Sequence, residues 1–187
     1  MSRPKSGVRI ERVKTEQKIY VLLGLATIFL VGGGVFFLSK QQTEQRKIDE
    51  TPFAGKEMTS EGANHVPEGT GIEYNSNPPH SGPHYAKTAH AGIYDEAPED
   101  GYLVHSLEHG AVILWHKENL PKEDVEKLKE IFKKMPGKTI MTPRKGMDIP
   151  VALTSWTRIL KLEEIDEKQM LNFYEANYNR GPENVPI

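Results

Sequence analysis

The chain has 187 residues, enough for one ordinary domain and a short additional segment. It contains no cysteine, which excludes disulfides, Cys-ligated zinc, iron–sulfur clusters and thiol catalysis. Its formal net charge is −2, and six basic residues face only two acidic ones in residues 1–18, so the remainder is acidic. Because a nucleic-acid-binding protein needs a basic surface, nucleic acid is not expected as a partner.

The first predicted element is a membrane span from Ile19 to Leu38, a run without charged residues that is long enough to cross the hydrocarbon. The excess of Lys and Arg in residues 1–18 predicts a cytoplasmic tail and an extracytoplasmic remainder. A cleaved signal peptide is the alternative, but its apolar region would be shorter and an A-x-A-like site would follow it. The exit "FFLSKQQTEQ" has no such site. We therefore predict a single-pass signal anchor in the plasma membrane, and the sequence identifies no protein partner.

Beyond the span, residues 39–56 are polar and predict a stalk, and residues 57–187 predict an extracytoplasmic, His-rich domain. The early part of this domain, Glu61 to Glu99, is rich in Pro, Gly, Asn and His, which excludes long helices. We expect an ordered loop region there, with "GIEYN" (Gly71 to Asn75) as its one short strand.

The later part of the chain has regular patterns. "AVILWH" after Gly110 predicts a strand buried on both faces, and "LPKEDVEKLKEIFKKMPG" predicts an amphipathic helix. "KTIMTP" predicts a short strand, and "DIPVALTSWTRILKLE" predicts one strand or two. Asp166 and Gln169 form a capping box at the start of a second helix, "EKQMLNFYEANYN". This order predicts an α+β fold. An N-terminal transmembrane helix precedes a small mixed sheet, which has two amphipathic helices on one face, a single core and a long His/Pro/Gly-rich loop region.

All seven histidines lie between His65 and His116. Clustered histidine favours metal binding, because imidazole is the commonest protein ligand for transition metals, although histidines also occur in loops without a metal. His105 and His109 are four residues apart, so one helical turn would bring their Cβ atoms to within roughly 5–6 Å. His80 and His84 have the same spacing, but the surrounding prolines exclude a helix and leave turns to position them.

The stretch "HSLEH", His105 to His109, also matches the H-x-x-E-H pattern of inverted zinc metallopeptidases, in which Glu108 would be the general base. Those enzymes carry the motif on a long helix, whereas Gly101 and Gly110 confine this segment to a short one. We therefore expect Glu108 to orient a metal-binding imidazole through a hydrogen bond.

Several motifs together resemble one bacterial family, known as domain of unknown function 3105. They are "HVPEGTGIEYNSNPP", "SGPHY", "GIYDE", "LVHSLEHGAVILW" and "VALTSWTR", and the resemblance runs from about His65 to Pro182. The family name assigns no activity, so the resemblance implies no mechanism. It does imply four histidines of the family pattern as candidate metal ligands. These are His65, His84, His105 and His109. His80 stands where the pattern has a small hydroxyl residue, and His90 and His116 fall outside it.

Copper is favoured over zinc as the metal, because copper binds imidazole and, as Cu(I), thioether sulfur. Met135, Met141 and Met147 lie in or beside "KTIMTPRKGM" and could supply that sulfur, although the first two also fit a core. The sequence thus predicts a membrane-anchored extracytoplasmic metal-binding protein, without catalytic residues or an organic cofactor. Two alternatives remain open, a metal-dependent hydrolase with Glu108 as base and a structural or interaction module without metal.

Overall fold

The computed structural model describes residues 7–183 and 185–187, except for the side chains of residues 7–19 and 44–50. The chain divides into two compact units, Met1–Glu50 and Thr51–Ile187.

The first unit contains one long helix, α1 (Gly7–Glu50). Its stretch Tyr20–Thr43 has a mean hydropathy of 2.4 and exposed side chains, and it is long and apolar enough to cross a membrane. Such a helix near the N-terminus fits a single-pass anchor or a signal sequence. The predicted basic tail, residues 1–18, lies outside the part of the chain whose side chains are described.

The second unit is an α+β domain, as predicted. Its elements in chain order are β1 (Lys56–Glu57), β2 (His65–Val66), β3 (His84–Tyr85), β4 (Gly92–Ile93), α2 (Asp100–Glu108), β5 (Val112–Lys117), α3 (Lys122–Phe132), β6 (Thr139–Arg144), β7 (Val151–Ser155), β8 (Arg158–Leu162) and α4 (Glu167–Asn177).

Six strands form one mixed sheet in the order β1-β8-β7-β5-β6-β4. Strand β5 lies at its centre, parallel to β6 and antiparallel to β7, and all of its residues except the last are buried. The segment "DIPVALTSWTRILKLE" gives two antiparallel strands, β7 and β8. The predicted N-cap at Asp166 is confirmed, because its carboxylate accepts hydrogen bonds from the backbone N–H and the side-chain amide of Gln169. The reciprocal half of a capping box, from the Asp166 backbone N–H to the Gln169 side chain, is not formed among the described residues.

The two predicted amphipathic helices, α3 and α4, lie on one face of the sheet as expected, but each face has an apolar cluster, so the prediction of a single core is wrong. Side chains alternate along β5, which sends Val112 and Leu114 to one face and Ile113 and Trp115 to the other. The first pair packs with residues of α3 and α4. The second pair packs with Leu103 and Leu107 of α2 and with loop residues. The short helix that carries the histidine pair therefore covers a face of its own.

The predicted strand at Gly71 to Asn75 is wrong. Its side chains alternate in burial, since Ile72 and Tyr74 are half-buried and their neighbours are exposed, but no strand in the described part of the chain pairs with it. The Tyr74 hydroxyl instead donates a hydrogen bond to the carbonyl of Pro83. Alternation alone predicts a strand only when a partner supplies the backbone hydrogen bonds.

Candidate metal centre

Helix α2 presents two histidines at its C-terminal end. His105 lies within its last turn, and His109 follows it as the C-cap residue, with its backbone N–H donating to the carbonyl of His105 at 3.1 Å. Gly110 then ends the helix with a φ of +83°, a conformation that glycine adopts without strain. The expected placement of His105 and His109 on one helical turn is therefore confirmed.

A second, two-stranded sheet supplies the other two candidate histidines. Strands β2 and β3 pair in parallel, and the register places His65 directly opposite His84. The backbone N–H of His84 also donates to the carbonyl of Asn64 at 3.0 Å. Two histidines from distant parts of the loop region thus lie side by side.

Strand β3 packs closely against α2 at Gly101. A Cβ atom at this position would lie 2.6 Å from the ring of Tyr85, so only glycine lets the ring approach the helix this closely. The Tyr85 hydroxyl is held by the Glu99 carboxylate and the Thr70 carbonyl, to which it can donate. This contact fixes β3, and with it His84, against the helix.

Three imidazoles meet where β2, β3 and α2 come together. The ring centroids of His65 and His84 are 4.8 Å apart, those of His84 and His105 are 4.7 Å apart, and those of His65 and His105 are 4.9 Å apart. Glu108, one turn after His105, brings a carboxylate to the same place. We call these four residues, His65, His84, His105 and Glu108, the inner group. One ligand atom from each lies within 4.8 Å of the others, which is close enough for all four to bind one metal ion.

The hydrogen bonding of His84 determines which ring nitrogen faces the inner group. Its Nδ1 lies 2.9 Å from the carbonyl oxygen of Gly82, which can only accept, so Nδ1 carries the proton. The lone pair is then on Nε2, which is buried and has no hydrogen-bond partner among the described residues. Nε2 lies 3.0 Å from Oε2 of Glu108, without hydrogen-bond alignment. Metal-binding imidazoles commonly have this arrangement, with the second N–H donated to a carbonyl.

Burial shapes the charges of the inner group. It lowers the pKa of His84, and it lowers the pKa of His105 with a further contribution from the neighbouring His109. Both imidazoles are therefore neutral at pH 7, as metal binding requires. Burial also raises the pKa of Glu108, and the charge of Glu183 acts in the same direction. His65 is exposed, so the inner group is open to solvent on its side.

The fourth candidate, His109, belongs to a second group with His105 and Glu183, which we call the outer group. The ring centroids of His105 and His109 are 4.4 Å apart, and Nε2 of His109 lies 3.4 Å from Oε2 of Glu183. One ligand atom from each of the three residues lies within 4.8 Å of the other two. His105 is therefore common to both groups.

The remaining histidines lie elsewhere. His80 is buried, but its ring contacts Ser81 and Glu61 rather than the inner group. His90 is exposed, and Nδ1 of His116 lies 2.9 Å from the carbonyl of Lys117. This position of His80 agrees with its place outside the histidines of the family pattern.

The three methionines are core residues. Met135 and Met141 pack on the sheet face covered by α3 and α4, opposite to α2. Met147 packs in the cluster on the α2 face. The sulfur of Met135 or Met141 thus lies on the wrong side of the sheet to join the histidines.

Sequence reasoning missed two carboxylates. Glu108 was expected to support a ligand, yet its oxygen lies among the candidate ligand atoms. The H-x-x-E-H spacing could have indicated this, because residues three apart share a helix face. Glu183 had no signal in the sequence, since it is distant along the chain and lies in an irregular segment.

Comparison with known proteins identifies the family of the chain. A family model with the description "Protein of unknown function (DUF3105)" matches residues 65–186. No curated protein and no solved structure matches the chain. The matched region contains every element from β2 to α4, together with every residue of the inner and outer groups. Because the match covers well over half of the chain, the protein belongs to this family of unknown function.

Proposed function

We propose that the protein is a membrane-anchored metal-binding protein that holds a transition-metal ion at the inner group. One observation carries the proposal: the buried Nε2 of His84, which holds the lone pair of the ring, lies 3.0 Å from an oxygen of Glu108 without a hydrogen bond between them. Two acceptors at this distance repel each other unless a proton or a metal ion lies between them. A metal ion bound by both atoms, and by His65 and His105, would remove that repulsion.

The metal favoured by this ligand set is Cu(II), ahead of Zn(II). The thioether argument for copper loses its support, because Met135 and Met141 lie on the opposite sheet face and Met147 packs in the apolar cluster under α2. Three imidazoles and a carboxylate are, however, borderline nitrogen and oxygen ligands, and such sites bind Cu(II) more tightly than Zn(II) in the usual affinity order. Availability of each metal, rather than affinity, would then decide which ion is bound in the cell.

The proposed location is the extracytoplasmic side of the plasma membrane. Residues 1–18 would form a cytoplasmic basic tail, residues 19–38 the membrane span and residues 39–56 a stalk that carries the domain of residues 57–187. The excess of Lys and Arg before the span supports this orientation. Because the chain has no cysteine, a single introduced cysteine is its one thiol, and labelling of that thiol reports the orientation. With Glu164→Cys, an impermeant maleimide should label intact cells, whereas Ser6→Cys should react only after lysis; the reverse pattern would refute the orientation.

The test of metal binding is elemental analysis of the full-length chain, purified in detergent under metal-replete conditions and dialysed against a weak chelator. We expect stoichiometric metal in the wild type and its loss in His84→Ala. His90→Ala is the matched control, because His90 is an exposed histidine outside both groups. Wild-type protein without bound metal would leave only an interaction module and overturn the proposal.

Glu108→Gln separates binding from the hydrolase alternative. If the Glu108 carboxylate is a ligand, the variant binds metal more weakly than the wild type by about 10-fold or more. If Glu108 is the general base of a hydrolase, the variant keeps its metal and loses a hydrolytic activity that the wild type has. Unchanged metal affinity would therefore remove Glu108 from the proposed ligand set.

A further inference from the structure

The outer group has a feature that the inner group does not explain. Nδ1 of His109 lies 2.9 Å from the carbonyl oxygen of Pro186, which can only accept a hydrogen bond. Nδ1 therefore carries the proton in the neutral ring, and Nε2 holds the lone pair. That lone pair is on the atom 3.4 Å from Oε2 of Glu183. The arrangement of His84 and Glu108 is thus repeated by a second imidazole and a second carboxylate.

The backbone holds Glu183 in this position. Its N–H donates to the carbonyl of Glu108 at 3.1 Å, which ties the C-terminal segment to the end of α2. Gly181 allows the approach, since a Cβ atom there would lie 2.0 Å from the same carbonyl oxygen. The carboxylate is therefore brought to His109 by backbone contacts that do not depend on side-chain charge.

The two groups differ in exposure. The Glu108 side chain is 6% exposed, whereas that of Glu183 is 52% exposed. A position with two imidazoles, one carboxylate and a solvent-facing side has three protein ligands and room for water, which is the ligand set of many catalytic zinc sites. The inner group, with four protein ligands, corresponds to a more completely protein-bound ion.

We propose that His105, His109 and Glu183 form a second metal position, which binds a divalent ion such as Zn(II) with water as a further ligand. The proposal rests on the function proposed above, because His105 belongs to both groups. The outer position binds more weakly than the inner one, since it has fewer protein ligands and its carboxylate is half in water. Occupation of both positions at once would require His105 to bind one ion through each ring nitrogen, as an imidazolate whose N–H proton has been released to water.

The experiment is a Zn(II) titration of the full-length chain in detergent, with bound ions counted by native mass spectrometry and affinities measured by calorimetry. We expect the wild type to bind two ions and Glu183→Gln to bind one. The affinity of the weaker binding step should fall by more than about 10-fold in this variant. Glu175→Gln, an exposed glutamate on α4, is the matched control and should keep two ions. His105→Ala should weaken the binding of both ions, because it removes the ligand that the two groups share.

The outcomes distinguish the two proposals. A wild type that binds one ion, lost in His84→Ala but kept in Glu183→Gln, overturns the second position and leaves the proposed function standing. Two ions in Glu183→Gln also overturn it. One ion that is lost in Glu183→Gln and kept in His84→Ala supports the outer position and refutes the inner one. No bound ion refutes both, and circular dichroism of each variant checks that it has folded.

Discussion

The two faces of the central sheet are covered in different ways. On one face, α3 and α4 pack their apolar sides, including Phe173, against β5 and β7, and neither helix carries a histidine. On the other face, α2 packs Leu103 and Leu107 on the sheet and turns His105 away from it, toward β2 and β3. The helices on the first face carry none of the candidate ligands, whereas α2 on the second face both packs on the sheet and positions His105 and Glu108. Substitutions on the two faces should therefore separate folding from metal binding.

The largest expected effect is on the α3 and α4 face. Phe173→Ala removes a fully buried ring and should lower the free energy of unfolding by about 3–5 kcal/mol. Urea unfolding followed by tryptophan fluorescence measures this, because both tryptophans, Trp115 and Trp156, lie in the second unit. Phe173→Leu, which keeps most of the volume, should cost less. A folded Phe173→Ala protein with impaired metal affinity would contradict the separation of the two faces.

The next largest effect should appear both in the free energy of unfolding and in the metal affinity. Gly101→Ala places a Cβ atom 2.6 Å from the Tyr85 ring, so β3 and its His84 must move away from α2. We expect a loss of about 1–3 kcal/mol in stability, as for overpacking elsewhere, together with weaker metal binding. Gly71→Ala is the control, since nothing lies within 4 Å of its Cβ position. Unchanged metal affinity in Gly101→Ala would mean that this contact does not position His84.

A smaller effect is expected at the N-cap of α4. Asp166→Ala removes the acceptor for the Gln169 backbone N–H and should cost about 1 kcal/mol of stability. Asp166→Asn keeps a capping oxygen and should cost less. Metal affinity, measured by calorimetry, should be the same in all three proteins, because α4 packs on the face opposite to the histidines. A change in affinity would show that the faces are coupled.

The smallest expected effect is the change of stability with pH in the metal-free protein. Burial lowers the pKa of His84 and His105 in the folded domain, below the value of 6.5 for a free imidazole. As pH falls below about 6.5, the unfolded chain takes up protons before the folded one, so stability declines. The raised pKa of Glu108 acts in the opposite direction. Melting temperatures with a chelator present, between about pH 7.5 and pH 6, should fall less steeply in His84→Gln. An equally steep fall would exclude His84 as a cause.

The α+β class, the helices and the longer strands could be predicted from the sequence, because each depends on local patterns. The apolar stripe of α3 and the N-cap at Asp166 are examples, and so is the four-residue spacing that puts His105 and His109 on one turn. The prolines around His84 correctly excluded a helix there. In each case the determining residues lie within a few positions of one another.

The contacts that assemble the candidate site could not be predicted, because they join distant residues. The pairing of His65 with His84 depends on the register of two very short strands, which no local pattern specifies. The role of α2 in covering the second sheet face could not be predicted either, because its apolar residues belong to a motif dominated by histidine. Glu183 reaches His109 only through the path of the C-terminal segment.

The alignment of His65 opposite His84, with α2 beside them, has a mechanical consequence in a chain without cysteine. An ion held by the inner group would cross-link β2, β3 and α2 and close the long loops between them. Such an ion would bind only the folded arrangement of these residues and would stabilise it by mass action, whereas a disulfide acts by constraining the unfolded chain. Because metal binding is reversible, the rigidity of the loop region would depend on the supply of the ion.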